Sequence, residues 1–360
     1  MKNLKHLMLC SIAFLAMAVT GCNGGNNNGG EENEDEDRPI VFVLSGQSNM
    51  EGQTNVGTSG NTSYLDAAFQ SLGITDGDVC KTGIESVQTS FYGNGYGELD
   101  RDNYNRSDVH ASNTTDKIKG AFFPTKVGMG HSDSQMGPEL GCAYVLKDHA
   151  TADQPIYLVK MASSGSGFAQ SGDNAVGKNW EVKTADGTPV EHNLFSDFLK
   201  PFLHNNLDWI EEETGKKPLV RGWLWHQGES DAGEQAKRDA YARRLADMID
   251  AFRTEFADYS KTGDDEGKEI AFIDGMIYNG NTSLVGSAEN AQALNQIKLD
   301  AADENDNRYV VDAYANEEHT EANLLTVSGD GSTQGVHYNT KDSFRLGMAY
   351  GRIIVDHLLD

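Results

Sequence analysis

The sequence predicts an α/β fold, a parallel sheet with helices on both faces, and two observations predict it. Five short runs are almost continuously apolar, rich in β-branched and aromatic residues and without polar alternation, as strands buried on both faces must be. Helical patterns fall between them, and strands alternating with helices argue for parallel crossover units. In chain order, the first strand is Pro39–Ser45. Pro138 suits the first position of a helix through Leu146, because its missing N–H has no helical partner there. The second strand is Pro155–Met161, followed by a stripe of Phe195, Phe198, Leu199 and Phe202 in which Pro201 marks a kink or break. The third strand, Leu219–His226, precedes Tyr241, Leu245, Met248, Ile249, Phe252 and Phe256, a single apolar face at helical spacing. The fourth, Ile270–Ile277, precedes a helix capped by Ser287 and carrying Ala291, Leu294 and Ile297. The fifth is Arg308–Ala313, and a last helix runs from Phe344 to Leu358. Two segments, Glu51–Met136 and Ser163–Asn193, read as long loops, and loops of that length are usually functional or disordered. Their aromatics, Phe91, Tyr92, Tyr96, Tyr104, Phe168 and Trp180, either stack on sugar faces or pack a small core of the loop itself.

The N-terminus carries an export pattern. Lys2 and Lys5 precede an apolar run from Leu7 to Val19, the shape of a secretory signal rather than a membrane span. Val19-Thr20-Gly21-Cys22 resembles the lipobox of bacterial lipoproteins, which implies cleavage before Cys22, lipidation at that residue and an outer-membrane location; residues 1–21 are then the signal. Acyl chains contribute about 0.8 kcal/mol per buried CH₂, so more than one chain gives stable anchoring. Residues 22–38, Gly/Asn-rich and then acidic, form a solvated tether that has too little apolar content for a core. Residues 39–360 make one large domain. Net charge is −26, and only six of the 55 acidic residues sit in the tether, so the domain itself is acidic and repels nucleic acid and anionic headgroups. The membrane is reached only through the lipid. With Cys10 removed and Cys22 lipidated, Cys80 and Cys142 either pair in an oxidising compartment or remain separate buried thiols. No Cys/His cluster has metal-ligand spacing.

Open parallel sheets bind ligands beyond the carboxyl ends of their strands, and three polar blocks fall at that rim. Gly46-Gln47-Ser48-Asn49-Met50 follows the first strand directly, placing a serine beside a glycine where a nucleophile can stand above the sheet edge. Met50 replaces the second glycine of the Gly-x-Ser-x-Gly elbow, and a strand-terminal serine is more often a helix cap. Trp225-His226-Gln227-Gly228-Glu229-Ser230-Asp231 crowds the end of the third strand, and Gln334-Gly335-Val336-His337-Tyr338-Asn339 precedes the last helix.

Together these blocks resemble the SGNH hydrolase superfamily, and within it the carbohydrate esterase family six and sialate O-acetylesterase-like group. Gly137-Pro138-Glu139-Leu140 matches an intervening helix of that group, and the resemblance runs from about Ile40 to the C-terminus outside the two long loops. It implies a three-layer sandwich around a five-stranded parallel sheet, flavodoxin-like, with Ser48 as nucleophile and His337 as base. It also implies an oxyanion hole built by the Ser48 amide, the Gly165 amide and the side chain of Gln227, with Gly167 as alternative to Gly165. The group's two adjacent glycines are replaced here by Ala162-Ser163-Ser164-Gly165-Ser166-Gly167. Gln334 stands where the superfamily has an aspartate, which leaves Glu229 as the implied third member of the triad, with Asp330 or a backbone carbonyl as alternatives to support the imidazole. The implied chemistry is two-step acyl transfer without metal or cofactor, removing O-acetyl groups from a polysaccharide such as xylan, with O-acetyl sialic acid as alternative. The acid side of the pH profile is expected near an ordinary histidine pKa. A different class of reading is a glycan-binding lipoprotein whose catalytic machinery has decayed.

Overall fold

A computed structural model describes residues 35, 37–58, 60–93, 122–169, 179–280, 282–312 and 336–359, all within one compact unit, Glu34–Asp360. The first strand, β1 (Ile40–Gly46), lies in the middle of the sheet and leads into a single helical turn, α1 (Ser48–Glu51). The segment expected to be one long loop is partly regular. It contributes β2 (Thr54–Asn55), α2 (Ser63–Leu72), α3 (Val79–Thr82), β3 (Ile84–Gly93), β4 (Phe123–Thr125) and β5 (Gln135–Met136). Then follow α4 (Pro138–Leu146), β6 (Ile156–Ala162), α5 (Lys200–Thr214), β7 (Leu219–His226), α6 (Glu229–Ala232) and α7 (Gln235–Phe256). The chain closes with β8 (Ala271–Gly275), α8 (Thr282–Val285), α9 (Ala288–Asp300), β9 (Arg308–Val311) and α10 (Thr340–Leu358).

The five expected strands form the parallel set β6-β1-β7-β8-β9, and β3 and β4 extend the sheet to seven strands in the order β4-β3-β6-β1-β7-β8-β9. Only β4 runs antiparallel. The reading missed β3 because Ile84-Glu85-Ser86-Val87-Gln88-Thr89-Ser90 is mostly polar. It lies one strand from the edge and is held by its ladder to β6 from Val87 to Gly93. The chain passes from β1 out to β3 and back to β6, then crosses to β7 on the other side of β1, so the crossovers diverge around β1 and leave a crevice at its carboxyl end.

Alternate residues of β1 feed two cores. Val41 and Val43 join α5, α7 and α9 on one face, through residues such as Phe202, Leu245, Phe252 and Leu294. Ile40, Phe42 and Leu44 join α2, α4 and α10 on the other, through Phe69, Leu140, Phe344 and Ile354. The result is the three-layer sandwich. The expected Tyr241–Phe256 stripe is buried on α7, and the Ser287 hydroxyl accepts from the Asn290 amide at 3.2 Å as the cap of α9. Pro201 does not end its helix: a π-helical turn, Phe195–Leu199, runs directly into α5, and the change from π to α winding falls beside Pro201, whose ring removes one N–H from the turn. The helices α4 and α10 touch backbone to backbone. A Cβ on Gly141 would sit 2.0 Å from the Phe344 carbonyl oxygen, and one on Gly347 would sit 2.0 Å from that of Pro138.

Phe91, Tyr92, Phe168 and Trp180 are buried in the core, so the packing alternative holds for them; Tyr96 and Tyr104 lie outside the described residues. Cys80 and Cys142 are separate buried thiols, and burial pushes the Cys80 thiol up to about 12.

Candidate active site

The first block is positioned by backbone contact. Gly46 pairs with Ala162 on one side and His226 on the other, at the ends of β6 and β7. Its φ of +148° and the 2.0 Å approach of a would-be Cβ to the His226 carbonyl oxygen require glycine. The Gln47 amide donates to that same carbonyl at 3.0 Å, and the Gln47 carbonyl accepts from the Met50 and Glu51 amides. Ser48 is therefore the first residue of α1, where backbone N–H groups lack helical acceptors and can receive an oxyanion.

The second block begins where the Ser163 amide donates to the Gly46 carbonyl at 3.0 Å. The Ser166 amide and hydroxyl both donate to the Ser163 carbonyl, closing a turn, and the Ser164 hydroxyl accepts from the Gln53 side chain at 2.8 Å. Gly165, at φ +69°, is exposed at the tip of this turn with nothing within 4 Å of where a Cβ would stand. Gly167 instead packs on Asp231, whose carboxylate would lie 3.0 Å from its Cβ. Of the two glycines, only Gly165 has open space before it.

The third block is a braced corner. The Gln227 side-chain amide donates to Asp231 at 2.6 Å and to the Gln47 side chain at 3.3 Å, and Gln227 is fully buried. Asp231 also accepts from the Phe168 amide at 3.1 Å. Gln227 was expected to donate to the oxyanion, but here both amide hydrogens brace the corner. The Gln227 carbonyl accepts from Lys298 at 2.7 Å, and Lys298 is paired with Asp274 at 2.6 Å below the sheet edge. Burial pushes the Asp274 carboxyl up to about 6, against the pull of Lys298.

The fourth block is tied to the first. The Tyr338 amide donates to the Asn49 side-chain oxygen at 3.3 Å, and the Tyr338 carbonyl accepts from the Thr54 hydroxyl at 2.9 Å. Asn49 follows Ser48 and Tyr338 follows His337, so the two expected catalytic residues stand on one rim of the sheet. The Asn49 amide nitrogen donates to Glu229 Oε1 at 2.6 Å. Glu229 thus holds the segment before α10 that carries His337 through Asn49; no hydrogen bond joins it to His337, whose Nδ1 has no hydrogen-bond partner among the described residues. Asp330 and Gln334 lie outside the described residues, as does Cys22.

Burial governs the titration of the site. It lowers the His337 imidazole to about 4, with Glu51 acting upward and His131 downward. That is well below the ordinary histidine value expected from the sequence. Burial also holds His226, bonded to the Tyr338 hydroxyl at 2.9 Å, neutral, and raises Glu229 and Asp231 above the usual carboxylate range. Asn49 and Tyr338 lie inside the motif blocks without an expected role, and Glu51, Thr54 and His131 lie outside them. Glu51 had a signal: it falls one helical turn after Ser48 once that serine is taken to open a helix.

A protein-family model described as "Carbohydrate esterase, sialic acid-specific acetylesterase" matches residues 90–356. The chain belongs to this family. It is a carboxylic ester hydrolase that removes O-acetyl groups from carbohydrate, and the reading as a decayed binding protein is set aside. The matched span includes the His226–Asp231 corner and His337 and leaves the Ser48 block outside it. Among solved structures, the acetylesterase is similar to a protein from Arabidopsis thaliana, with 15% identity and TM-score 0.53 over 89% of this chain and 98% of that one. It is also similar to NanS, with 13% identity and TM-score 0.51 over 89% and 97%. At such identities these likenesses concern the fold. A carbohydrate acetylesterase from Sinorhizobium meliloti, Est24, overlaps 89% of this chain and 99% of its own at 11% identity and TM-score 0.40. No curated protein sequence matches the chain.

Proposed function

We propose that the acetylesterase works through an acyl-serine intermediate, with Ser48 as nucleophile and His337 as base. The observation that carries this reading is the hydrogen bond from the Tyr338 amide to Asn49, which ties the residue after the base to the residue after the nucleophile. His337 takes the Ser48 proton as the oxygen attacks the ester carbonyl, then returns it to the departing sugar hydroxyl. Water, activated by the same imidazole, releases acetate from the serine. The amides of Ser48 and the exposed Gly165 receive the oxyanion, and each such donor contributes about 2.7–4 kcal/mol to lowering the barrier. Gln227 joins them only by giving up its bond to Asp231 or to Gln47. Glu229 acts behind Asn49, fixing the loop of His337, and Asp330 is the other carboxylate of the reading.

The substrate we infer is an O-acetylated neutral polysaccharide of the xylan type, favoured by a domain whose net charge repels anionic glycans. The family's own description favours O-acetyl sialic acid as the second reading. We further infer a lipid anchor at Cys22 and an outer-membrane site, which suits a polymer too large to import. Acetate release from acetylated xylan, O-acetyl sialic acid and 4-nitrophenyl acetate, each compared with Ser48→Ala, tests both levels. Turnover of 4-nitrophenyl acetate that survives Ser48→Ala removes the mechanism; turnover of sialate alone removes the xylan reading.

A further inference from the structure

We propose that Glu51 is the carboxylate that supports His337 during proton transfer, and that His131 sets how strongly it does so. The inference rests on the Ser48–His337 reading and deepens it.

Ser48 opens α1 and Glu51 closes it, so the two lie on the same side of one helical turn. Glu51 is only 2% exposed, and a carboxylate that deep persists only with compensating partners. His131 Nδ1 stands 3.0 Å from its Oε1, and the Gln53 side chain donates to its Oε2 at 3.3 Å. The Lys160 ammonium donates to the Glu51 backbone carbonyl at 3.0 Å and pairs with Glu139 at 2.9 Å, which pins the end of α1 from beneath. The same stretch grips the neighbour of the base from both sides of Glu51. Asn49, two residues before it, accepts from the Tyr338 amide, and Thr54, three residues after it, donates to the Tyr338 carbonyl.

The charges near the rim act differently. Glu229, Asp231 and Lys298 surround the buried His226 corner, and Glu229 Oε1 is occupied by Asn49. Lys160 and Glu139 neutralise each other below α1. Among the described residues, the charges that bear on His337 are Glu51, which favours its protonated form, and His131, which opposes it. When the Ser48 proton passes to His337, a buried imidazolium forms, and a nearby fixed negative charge lowers its energy. Because Nδ1 makes no hydrogen bond among the described residues, the role proposed for Glu51 is that of a nearby charge rather than a hydrogen-bond partner of that atom. His131, whose side chain is 37% exposed, gains a proton more readily because of Glu51 and, once charged, cancels part of that field.

The test is kcat/KM and kcat against pH for 4-nitrophenyl acetate on the full chain, in wild type, Glu51→Gln, His131→Asn, Ser48→Ala and His337→Ala. Glu51→Gln is expected to lose about ten- to a hundredfold in kcat with KM little changed. Its acid limb moves to lower pH. The limb of His131→Asn moves the other way, to higher pH. A folded Glu51→Gln with wild-type kcat and an unmoved limb, beside an inactive Ser48→Ala, overturns the inference and leaves the Ser48–His337 reading standing. An active Ser48→Ala overturns that reading and this inference with it. Should Glu51→Gln fail to fold, the surface substitution decides: a limb of His131→Asn that is unmoved or shifted downward overturns the proposal.

Discussion

The pH profile of the acetylesterase is the most informative consequence of its site geometry. The proposed base, His337, works only while neutral, and burial lowers it to about 4 from an ordinary value of 6.5. At pH 5.5 an ordinary histidine is only about one-tenth neutral, whereas His337 is neutral in about 97% of molecules, so about tenfold more activity survives there. The acid limb of kcat/KM is therefore expected around pH 4. The assay is initial-rate acetate release from pH 3.5 to 8, with circular dichroism at each pH to separate titration from unfolding. An acid limb centred near 6.5 in folded protein refutes the reasoning, because it means His337 is as solvated as a surface histidine. The same shift is a stability term. The folded pKa lies below the unfolded one, so the contribution is complete above pH 6.5 and is lost as pH falls toward 4. Its size is about 3 kcal/mol, to be read as the difference in urea unfolding between wild type and His337→Gln at pH 7 and pH 4.

Other outcomes follow from single contacts. Asn49→Ala removes both the bond to Glu229 and the bond from the Tyr338 amide, so kcat is expected to fall about ten- to a hundredfold with the fold retained; an unchanged kcat removes the tether from the mechanism. Lys298→Met leaves Asp274 buried without its partner and should cost about 3–5 kcal/mol in chemical denaturation. Gly46→Ala drives a Cβ into the His226 carbonyl and is expected to give insoluble or inactive protein, whereas Gly165→Ala, facing open space, should remain folded on thermal melting. Cys80 and Cys142 should resist alkylation in the native state and both react once the chain is denatured without reductant, as measured by intact mass.

The sequence alone determined the five strands β6-β1-β7-β8-β9, the helices that follow them and the rim proposed for the chemistry. Strands buried on both faces must be continuously apolar, and helices that cover them must repeat at 3.6 residues, so both leave local patterns. β3 left a weaker pattern, because polar residues separate its buried Ile84, Val87, Phe91 and Tyr92 and the ladder to β6 holds the run in place. The same division runs through the site. Ser48 and His337 could be put forward from sequence as a candidate pair because each sits where a strand or helix begins or ends, a position a motif can report. What Glu229 and Gln227 touch was not legible. Glu229 meets Asn49 across 180 positions, and Gln227 spends its amide on Asp231 and Gln47. Which carboxylate stands near the base, and which glycine faces open space, depends on how four distant blocks approach one another at the end of β1. Only the packed sheet decides those approaches, since hydrogen bonds between strand ends are set by register and crossover and leave no trace in local spacing.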